Sequence, residues 1–288
     1  TPSNSSAASD VYKRQSLTPF CGKLLKSCTT SFQDRNESIN LAFAKSFGFL
    51  YRIATIEKAG KYANLLSEMY FQSNEVTSKK VVAAAVEAVL KQAPTQFDNV
   101  SSSFMPLLFV ASNDVDKQVG SAFEWVWREA SKSGSGTVRL YLEEIMELLQ
   151  KNITSNNFST RRTCSRTIVL LCENSDHSIK PKQVQKLFEI TMESLKGRSW
   201  EGKEVLLDAL QSLVAKFADS ISSNPDLKDS ISAVFVTEIS RKNAVYVKRA
   251  VLPFCQFVAI FPENSLIEAL IQAVSYTHLR AHETLSDL

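Results

Sequence analysis

Apolar residues recur every three or four positions along most of this chain, the spacing that places them on one face of an α-helix. The pattern is clearest in six segments, each of which opens with polar residues and continues into a stripe of apolar and small residues. These six segments start at Asn36, Glu75, Asp114, Asn157, Ser199 and Asn243. No alternating pattern typical of a half-buried strand competes with them, so the chain is predicted to be all-α.

The six segments recur at a nearly constant interval. Aligned on Asn40, Lys80, Gln118, Arg162, Lys203 and Arg249, they follow one another at 38 to 46 residues. Further helical patterns, at residues 58–72, 100–111, 138–153, 181–195 and 225–240, supply a partner helix for each interval. Paired helices at this period are typical of HEAT and armadillo arrays. The sequence therefore predicts an α-solenoid of about six HEAT-like two-helix repeats over residues 16–274.

One helix-to-helix connection is unusually rich in glycine and charge, the stretch "ESLKGRSWEGKEVLLDAL" from residue 193. Gly197 stands where the first helix needs a residue that tolerates positive φ, and Ser199 stands where the second needs a cap. A loop of two or three residues follows from these two positions. Trp200 is interpreted as an apolar lid on the same stripe as Leu207, with a role in recognition as the alternative.

Prolines refine the predicted boundaries of the helices. Pro181 and Pro225 stand where proline suits a first helical turn, and Asn224 is a plausible cap before the second of them. Pro253 falls inside the last long apolar stripe, where a kink or a break is expected.

The charge of the chain argues against several classes of partner. The net charge is only +3 and acidic and basic residues are interleaved, so neither a nucleic-acid-binding stripe nor an anionic membrane surface is predicted. The longest nearly apolar run, residues 250–261, is too short to span a bilayer. The expected partners are therefore other proteins, with no nucleic acid, no integral membrane and no small-molecule substrate.

The cysteines predict a reducing compartment. Cys21 and Cys28, like Cys164 and Cys172, lie seven or eight residues apart within predicted helices, which puts each pair beyond disulfide reach. All five cysteines are interpreted as reduced thiols. Together with the lack of a signal-peptide pattern, this favours a cytoplasmic and nuclear location.

Candidate chemistry is scarce, and no catalytic residue, cofactor or metal is predicted. His278 and His282 are four residues apart, but the zinc motif needs Glu directly after the first His, and Leu279 stands there. The segment "KSGSGT" at 132–137 lacks the order of a phosphate-binding loop and is interpreted as a linker. His177 has no evident catalytic partner nearby in the sequence.

The two ends depart from the repeat pattern. Residues 1–15 are serine-rich without periodicity, and residues 275–288 interrupt the last apolar stripe. The strings "VYKRQ" and "SYTHLRAHET" resemble translated sequencing-adaptor sequence. Both ends are therefore predicted to be non-native tails.

The strings "LKGRSWEGKEVLLDAL" and "WVWREASKSGSGTVRLYLEEI", together with the repeat period, resemble the family of large HEAT-repeat adaptor and scaffold proteins of the proteasome. The matching positions of the first string are Gly197, Arg198, Trp200, Gly202, Lys203 and Glu204. Those of the second are Trp127, Gly136, Arg139, Tyr141, Leu142, Glu144 and Ile145.

The resemblance implies a non-enzymatic protein that binds proteasomes and helps tether or stabilise their core and regulatory particles. Members of this family are much longer, so the resemblance also implies that this chain is an internal fragment. Arg198 and Lys203, expected to project from the edge of the hairpin, are the candidate partner-binding residues. The rivals are a HEAT scaffold of another assembly, such as a transport receptor or a cytoskeletal adaptor, and a helical-repeat enzyme that acts on nucleic acid.

Overall fold

The computed structural model describes residues 17–131, 135–174 and 179–286, with the side chains of all of these except 135, 174 and 277–286. Over this part of the chain, one turn of 3-10 helix at Thr18–Phe20 is followed by sixteen α-helices and no strand. The fold divides into two compact units, residues 1–148 and 149–288. The prediction of an all-α solenoid is confirmed.

The helices of the first unit are α1 (Cys21–Ser31), α2 (Glu37–Tyr51), α3 (Ile56–Gln72), α4 (Val76–Gln92), α5 (Pro94–Asn99), α6 (Ser101–Ala111), α7 (Lys117–Ala130) and α8 (Ser135–Leu140). Helix α9 (Leu142–Asn152) contains the division between the units. The second unit continues with α10 (Phe158–Asn174), α11 (Pro181–Leu195), α12 (Glu204–Lys216), α13 (Ala218–Ser222), α14 (Pro225–Ile239), α15 (Ala244–Ile260) and α16 (Asn264–Ser286).

Six of these helices, α2, α4, α7, α10, α12 and α15, are the predicted first helices of the repeats, and each is followed by a partner helix. In the first unit α4 packs against both α2 and α7, and in the second α12 packs against both α10 and α15. Within each unit the first helices therefore pack directly against one another, as a solenoid requires.

The turn before a first helix has a recurring structure. The side chain two residues ahead of the helix cap accepts a hydrogen bond from the backbone N–H of the capping residue. Asp34 accepts from Asn36 at 2.8 Å, Ser73 from Glu75 at 3.1 Å, Asp114 from Asp116 at 2.9 Å and Ser155 from Asn157 at 3.1 Å. This repeated bond gives the repeats a common register.

Proline behaves as predicted at two helix starts and differently at a third position. Pro181 and Pro225 begin α11 and α14, and the Asn224 side chain caps the latter by accepting from Leu227. The break expected at Pro253 is wrong, because α15 runs unbroken from Ala244 to Ile260. Proline removes only one bond of the helical ladder, and Pro253 is buried within this continuous helix.

All five cysteines are free thiols, and four of them are buried. Burial raises the pKa of Cys172 to about 12, which keeps this thiol protonated and unreactive at neutral pH. No helix within the described ranges combines the length and the apolarity that crossing a bilayer would require.

Residues 1–16 lie outside the described part of the chain. Helix α16 carries a helical backbone through residue 286, and the Tyr276 hydroxyl donates to the Lys242 carbonyl at 2.9 Å. The non-native origin of residues 1–15 and 275–288 stays a prediction.

Candidate partner-binding surface

Residues 196–203, between α11 and α12, carry both of the predicted partner-binding residues. The loop is longer than the predicted two or three residues, because α12 begins at Glu204 and its cap is Lys203. The cap predicted at Ser199 is wrong. The positive φ predicted at Gly197 is confirmed at 88°, and a second one of 93° occurs at Gly202. Two such glycines let the chain turn twice before the helix starts.

Trp200 anchors the middle of this loop. Its ring stacks on that of Phe158, with centroids 4.8 Å apart and planes inclined by 3°, and the Arg161 guanidinium carbon lies 5.6 Å from the Trp200 centroid. The interpretation as an apolar lid agrees with this contact. However, Trp200 precedes α12 and covers the start of α10, so its predicted place on the stripe of Leu207 is wrong.

Gly202 is required by packing as well as by its backbone conformation. A Cβ atom at this position would lie 2.9 Å from the Cδ atom of Arg162 and 3.5 Å from the ring of Trp200. A side chain here would require a shift of Arg162 or of the loop itself.

The expectation that Lys203 projects into solvent is wrong. Its side chain is fully buried, and its Nζ atom lies 3.1 Å from Oε1 of Glu238, which is itself 2 % exposed. The same ammonium lies 3.4 Å from the carbonyl oxygen of Gly197. A buried lysine needs such partners because an unpaired buried charge is very costly. Lys203 therefore joins α12 to the end of α14.

Glu238 is the centre of a larger group, here called the Glu238 cluster: Lys203, Glu238, Arg241 and Tyr246. The Arg241 guanidinium donates to both carboxylate oxygens, at 2.6 Å each, and the Tyr246 hydroxyl donates to Oε2 at 2.6 Å. Arg241 also donates to the Gly197 carbonyl at 2.8 Å. The cluster thus fixes the loop that carries Arg198 against the end of α14 and the start of α15.

Burial and hydrogen bonding shift the protonation of the cluster in definite directions. Burial lowers the pKa of Lys203 despite the attraction of Glu238. Burial alone would raise the pKa of Glu238, but hydrogen bonds from Arg241 and Tyr246, together with Lys203, bring it below its ordinary value. Burial and the bond to Glu238 raise the pKa of Tyr246. At neutral pH the carboxylate is charged and the phenol is neutral.

Arg198 differs from its neighbours in the loop. Its side chain is exposed, and the described part of the structure gives it no ion pair or hydrogen bond. Glu204, by contrast, pairs with Arg249. The loop therefore presents Arg198 to solvent, beside Lys196, which pairs with Glu193, and holds Lys203 inside.

A related group in the first unit, here called the Asp114 cluster, consists of Tyr70, Lys79 and Asp114. The Lys79 ammonium lies 2.8 Å from Oδ2 of Asp114, the Tyr70 hydroxyl donates to the same oxygen at 2.6 Å, and both charged side chains are buried. Sequence reasoning missed both clusters. One signal was present in the sequence: in each cluster the lysine stands 35 residues before the acidic residue with which it pairs.

These arrangements hold helices together and offer no reactive centre. Within the described ranges, no group of three or more His, Cys, Asp or Glu side chains could hold a metal ion. Outside those ranges lie His177, the side chains of His278 and His282, and residues 132–134 of the predicted linker.

Comparison with known proteins decides the family. The family profile described as "Proteasome adapter and scaffold protein ECM29, HEAT-repeat domain" matches residues 9–71, which begin inside the predicted tail 1–15. The chain is 45% identical, over 91% of its length, to "Proteasome component ECM29" of Saccharomyces cerevisiae. It belongs to the family of HEAT-repeat proteasome adaptor and scaffold proteins.

Two more distant family members agree. The chain is 29% identical over 80% of its length to "Proteasome component ecm29" of Schizosaccharomyces pombe, and 26% identical over 81% to "Proteasome adapter and scaffold protein ECM29" of Homo sapiens. It spans 14%, 13% and 13% of the three relatives' own lengths. The human relative and the family profile are named as an adapter and scaffold, so the prediction of a non-enzymatic family is confirmed.

Proposed function

We propose that this chain is a segment of a non-enzymatic scaffold that binds proteasomes and helps to tether or stabilise their core and regulatory particles. The observation that carries the proposal is the 45% identity, over 91% of the chain, to a protein named as a proteasome component. The proposed partners are subunits of the core and regulatory particles, and the proposed location is cytoplasmic and nuclear.

The geometry of the second unit supports different proposed roles for the two predicted partner-binding residues. Arg198 is exposed on a loop that is held by the Trp200 stack on one side and by the Glu238 cluster on the other. A cation on a preorganised loop can pair with an acidic partner without a large loss of conformational entropy. We assign the direct contact to Arg198 and the positioning of its loop to Lys203.

The test is affinity isolation of the full-length parent protein carrying Arg198→Glu, with core and regulatory subunits quantified by mass spectrometry. Recovery of proteasome subunits should fall, and the difference from wild type should shrink as salt is raised, because exposed charge contacts are screened. Lys182→Glu, at an exposed lysine in the first turn of α11, is the matched charge reversal.

Equal recovery in wild type and Arg198→Glu would remove Arg198 from the contact surface and leave the scaffold role standing. Recovery of a different assembly, with no proteasome subunits in the wild type, would overturn the proposed function. Fluorescence imaging of the tagged parent protein tests the location, and confinement to a membrane-bound organelle would contradict it.

A further inference from the structure

An aromatic ring stands exposed on the second unit where α10 begins. Phe158, the first residue of α10, is 48% exposed, and one face of its ring is covered by the stack on Trp200. The Arg161 guanidinium carbon is 5.7 Å from the Phe158 centroid and 5.6 Å from that of Trp200. Because these two distances are nearly equal, Arg161 lies beside the stacked pair and not over the outer face of Phe158.

The outer face of Phe158 is therefore open to a ligand. Among the described residues, no further aromatic ring or cation contacts this side chain. Aromatic rings attract one another in offset or edge-to-face arrangements. A ring from another molecule can add to the stack on this side.

Arg162, one turn further along α10, has a guanidinium without a partner. It packs against the loop at Gly202, and its side chain has no hydrogen bond or ion pair within the described ranges. Of its three nitrogen atoms only Nε is buried without an acceptor. The two terminal nitrogens, which also lack acceptors, therefore reach solvent, and their N–H groups suit a carboxylate.

The charge around the stacked pair is positive. Arg198 is exposed and unpaired on the loop, and Arg161 donates to two backbone carbonyls, which do not neutralise its charge. Lys196 and Glu193 pair with each other. Three arginines thus stand against one exposed acid of the loop, Glu201. This excess of positive charge is complementary to an acidic partner.

The combination of an open aromatic face and unpaired arginines selects the class of partner. Arginine and aromatic side chains are enriched among the residues that dominate protein–protein binding energy. Aromatic rings and arginines also bind single-stranded RNA. However, RNA carries a phosphate on every nucleotide, whereas this loop carries Glu201 and the net charge of the whole chain is only +3. The observations favour a polypeptide.

We propose that Phe158, Arg162 and Arg198 form one docking surface, here called the Phe158 surface, for an acidic polypeptide segment in which carboxylates flank an aromatic side chain. The aromatic ring of the partner stacks on the outer face of Phe158, and its carboxylates pair with the two arginines. This inference rests on the proposed function and names the chemistry of the partner at the site of Arg198.

Nuclear magnetic resonance of the isotope-labelled full chain tests the surface with three blocked pentapeptides. The acidic aromatic peptide is Ac-Gly-Glu-Phe-Glu-Gly-NH2, and the controls are Ac-Gly-Gln-Phe-Gln-Gly-NH2, without charge, and Ac-Gly-Glu-Ala-Glu-Gly-NH2, without the ring. The first should shift the backbone amide resonances of Gly197 and Arg198 and the indole resonance of Trp200 saturably. Each control should bind at least about fivefold more weakly.

Three variants assign the binding to the surface. Arg162→Gln and Arg198→Gln should each weaken binding of the acidic aromatic peptide by about fivefold in low salt, and the difference should shrink as salt is raised. Lys182→Gln, at an exposed cation in the first turn of α11, should bind like wild type. Phe158→Leu keeps an apolar contact with Trp200 and should remove most of the preference for the peptide with a ring.

Equal binding of the charged and uncharged peptides would overturn the proposal. So would equal losses in the two arginine variants and in Lys182→Gln, or an unchanged preference for the ring in Phe158→Leu. Tighter binding of a uridine pentanucleotide would assign the surface to RNA instead. If Arg162→Gln fails to fold, the comparison of Arg198→Gln with Lys182→Gln decides.

Affinity isolation of the full-length parent separates this inference from the proposed function. Recovery of proteasomes without binding of the acidic aromatic peptide would overturn the Phe158 surface and leave the proposed function standing. Peptide binding without recovery of proteasomes would overturn the proposed function and leave the Phe158 surface standing.

Discussion

The Asp114 cluster and the Glu238 cluster each join consecutive repeats through a buried lysine, a carboxylate and a tyrosine. In each, a lysine at the start of one first helix reaches an acid 35 residues later, and a tyrosine hydroxyl donates to that acid. The Glu238 cluster adds a second cation, Arg241, with two bonds of 2.6 Å to the carboxylate.

Because of this additional arginine, loss of the lysine is expected to destabilise the Glu238 cluster less than the Asp114 cluster. Because burial lowers the pKa of Lys203, this lysine holds its proton less tightly in the folded chain than in the unfolded one. The protonated form of Lys203 is therefore disfavoured by folding, and Glu238 offsets part of that cost. Glu238, in contrast, has Arg241 and Tyr246 as further partners. Buried ion pairs of this kind add little net stability, and their main effect is to select which side chains pair. We infer that both clusters set the register between repeats.

The largest effect is expected from Lys203→Glu. This change puts a second carboxylate beside Glu238 in a fully buried position, and two buried like charges should cost more than about 5 kcal/mol. Hydrogen exchange by mass spectrometry should show lost protection in peptides from residues 149–288 and much smaller changes in peptides from residues 17–131. Protection equal to that of the wild type would contradict the buried position of Lys203. Lys182→Glu is the matched surface control.

Removal of each lysine separates the two clusters. Lys79→Met breaks a buried pair and should cost about 3 kcal/mol. Lys203→Met leaves Glu238 its bonds from Arg241 and Tyr246 and removes a desolvated charge. The expected loss of stability is therefore only about 1 kcal/mol. Local exchange free energies around each cluster measure both values. Equal costs would mean that Arg241 does not compensate for Lys203.

The loop before α12 needs an anchor that the shorter turn before α7, residues 112–116, does not. Trp200→Ala removes the stack on Phe158 from a half-buried site, and a loss of about 2 kcal/mol is expected. Exchange should rise in residues 196–203 and leave the turn at 112–116 unchanged. Phe158→Ala should reproduce the loop effect; if it does not, the stack is not what anchors Trp200.

Acid should weaken the Glu238 cluster. The lowered pKa of Glu238 means that its contribution to folding is complete above the ordinary value of 4.5 and is lost as pH falls through the folded value. As the pH falls from 6 through the folded pKa of Glu238, the cluster should progressively lose this contribution. Measurement of local exchange free energies against pH checks this, with Glu238→Gln as the control, which should lack the transition. An identical pH profile in that variant would assign the transition to another group.

The sequence was enough for the repeats because their helices are specified by local periodicity and by capping residues. Partner helices predicted at 58–72, 181–195 and 225–240 lie within two residues of α3, α11 and α14. The surroundings of Lys203 could not be predicted in this way, because they depend on a contact with Glu238 across 35 residues. The loop length was missed for a similar reason, since Trp200 packs on α10 and not on its own helix.

The smallest effect on stability is expected at Arg198, only five residues before Lys203 and carrying the same charge. Arg198→Glu changes an exposed side chain on a loop whose ends are held by other residues, so its free energy of unfolding should stay within about 0.5 kcal/mol of wild type. Equilibrium denaturation of the two reversals, Arg198→Glu and Lys203→Glu, under identical conditions gives the comparison. A loss at Arg198 above about 1 kcal/mol would show that its guanidinium contributes to the fold, and a reduced recovery of proteasomes by that variant could then no longer be assigned to a lost contact.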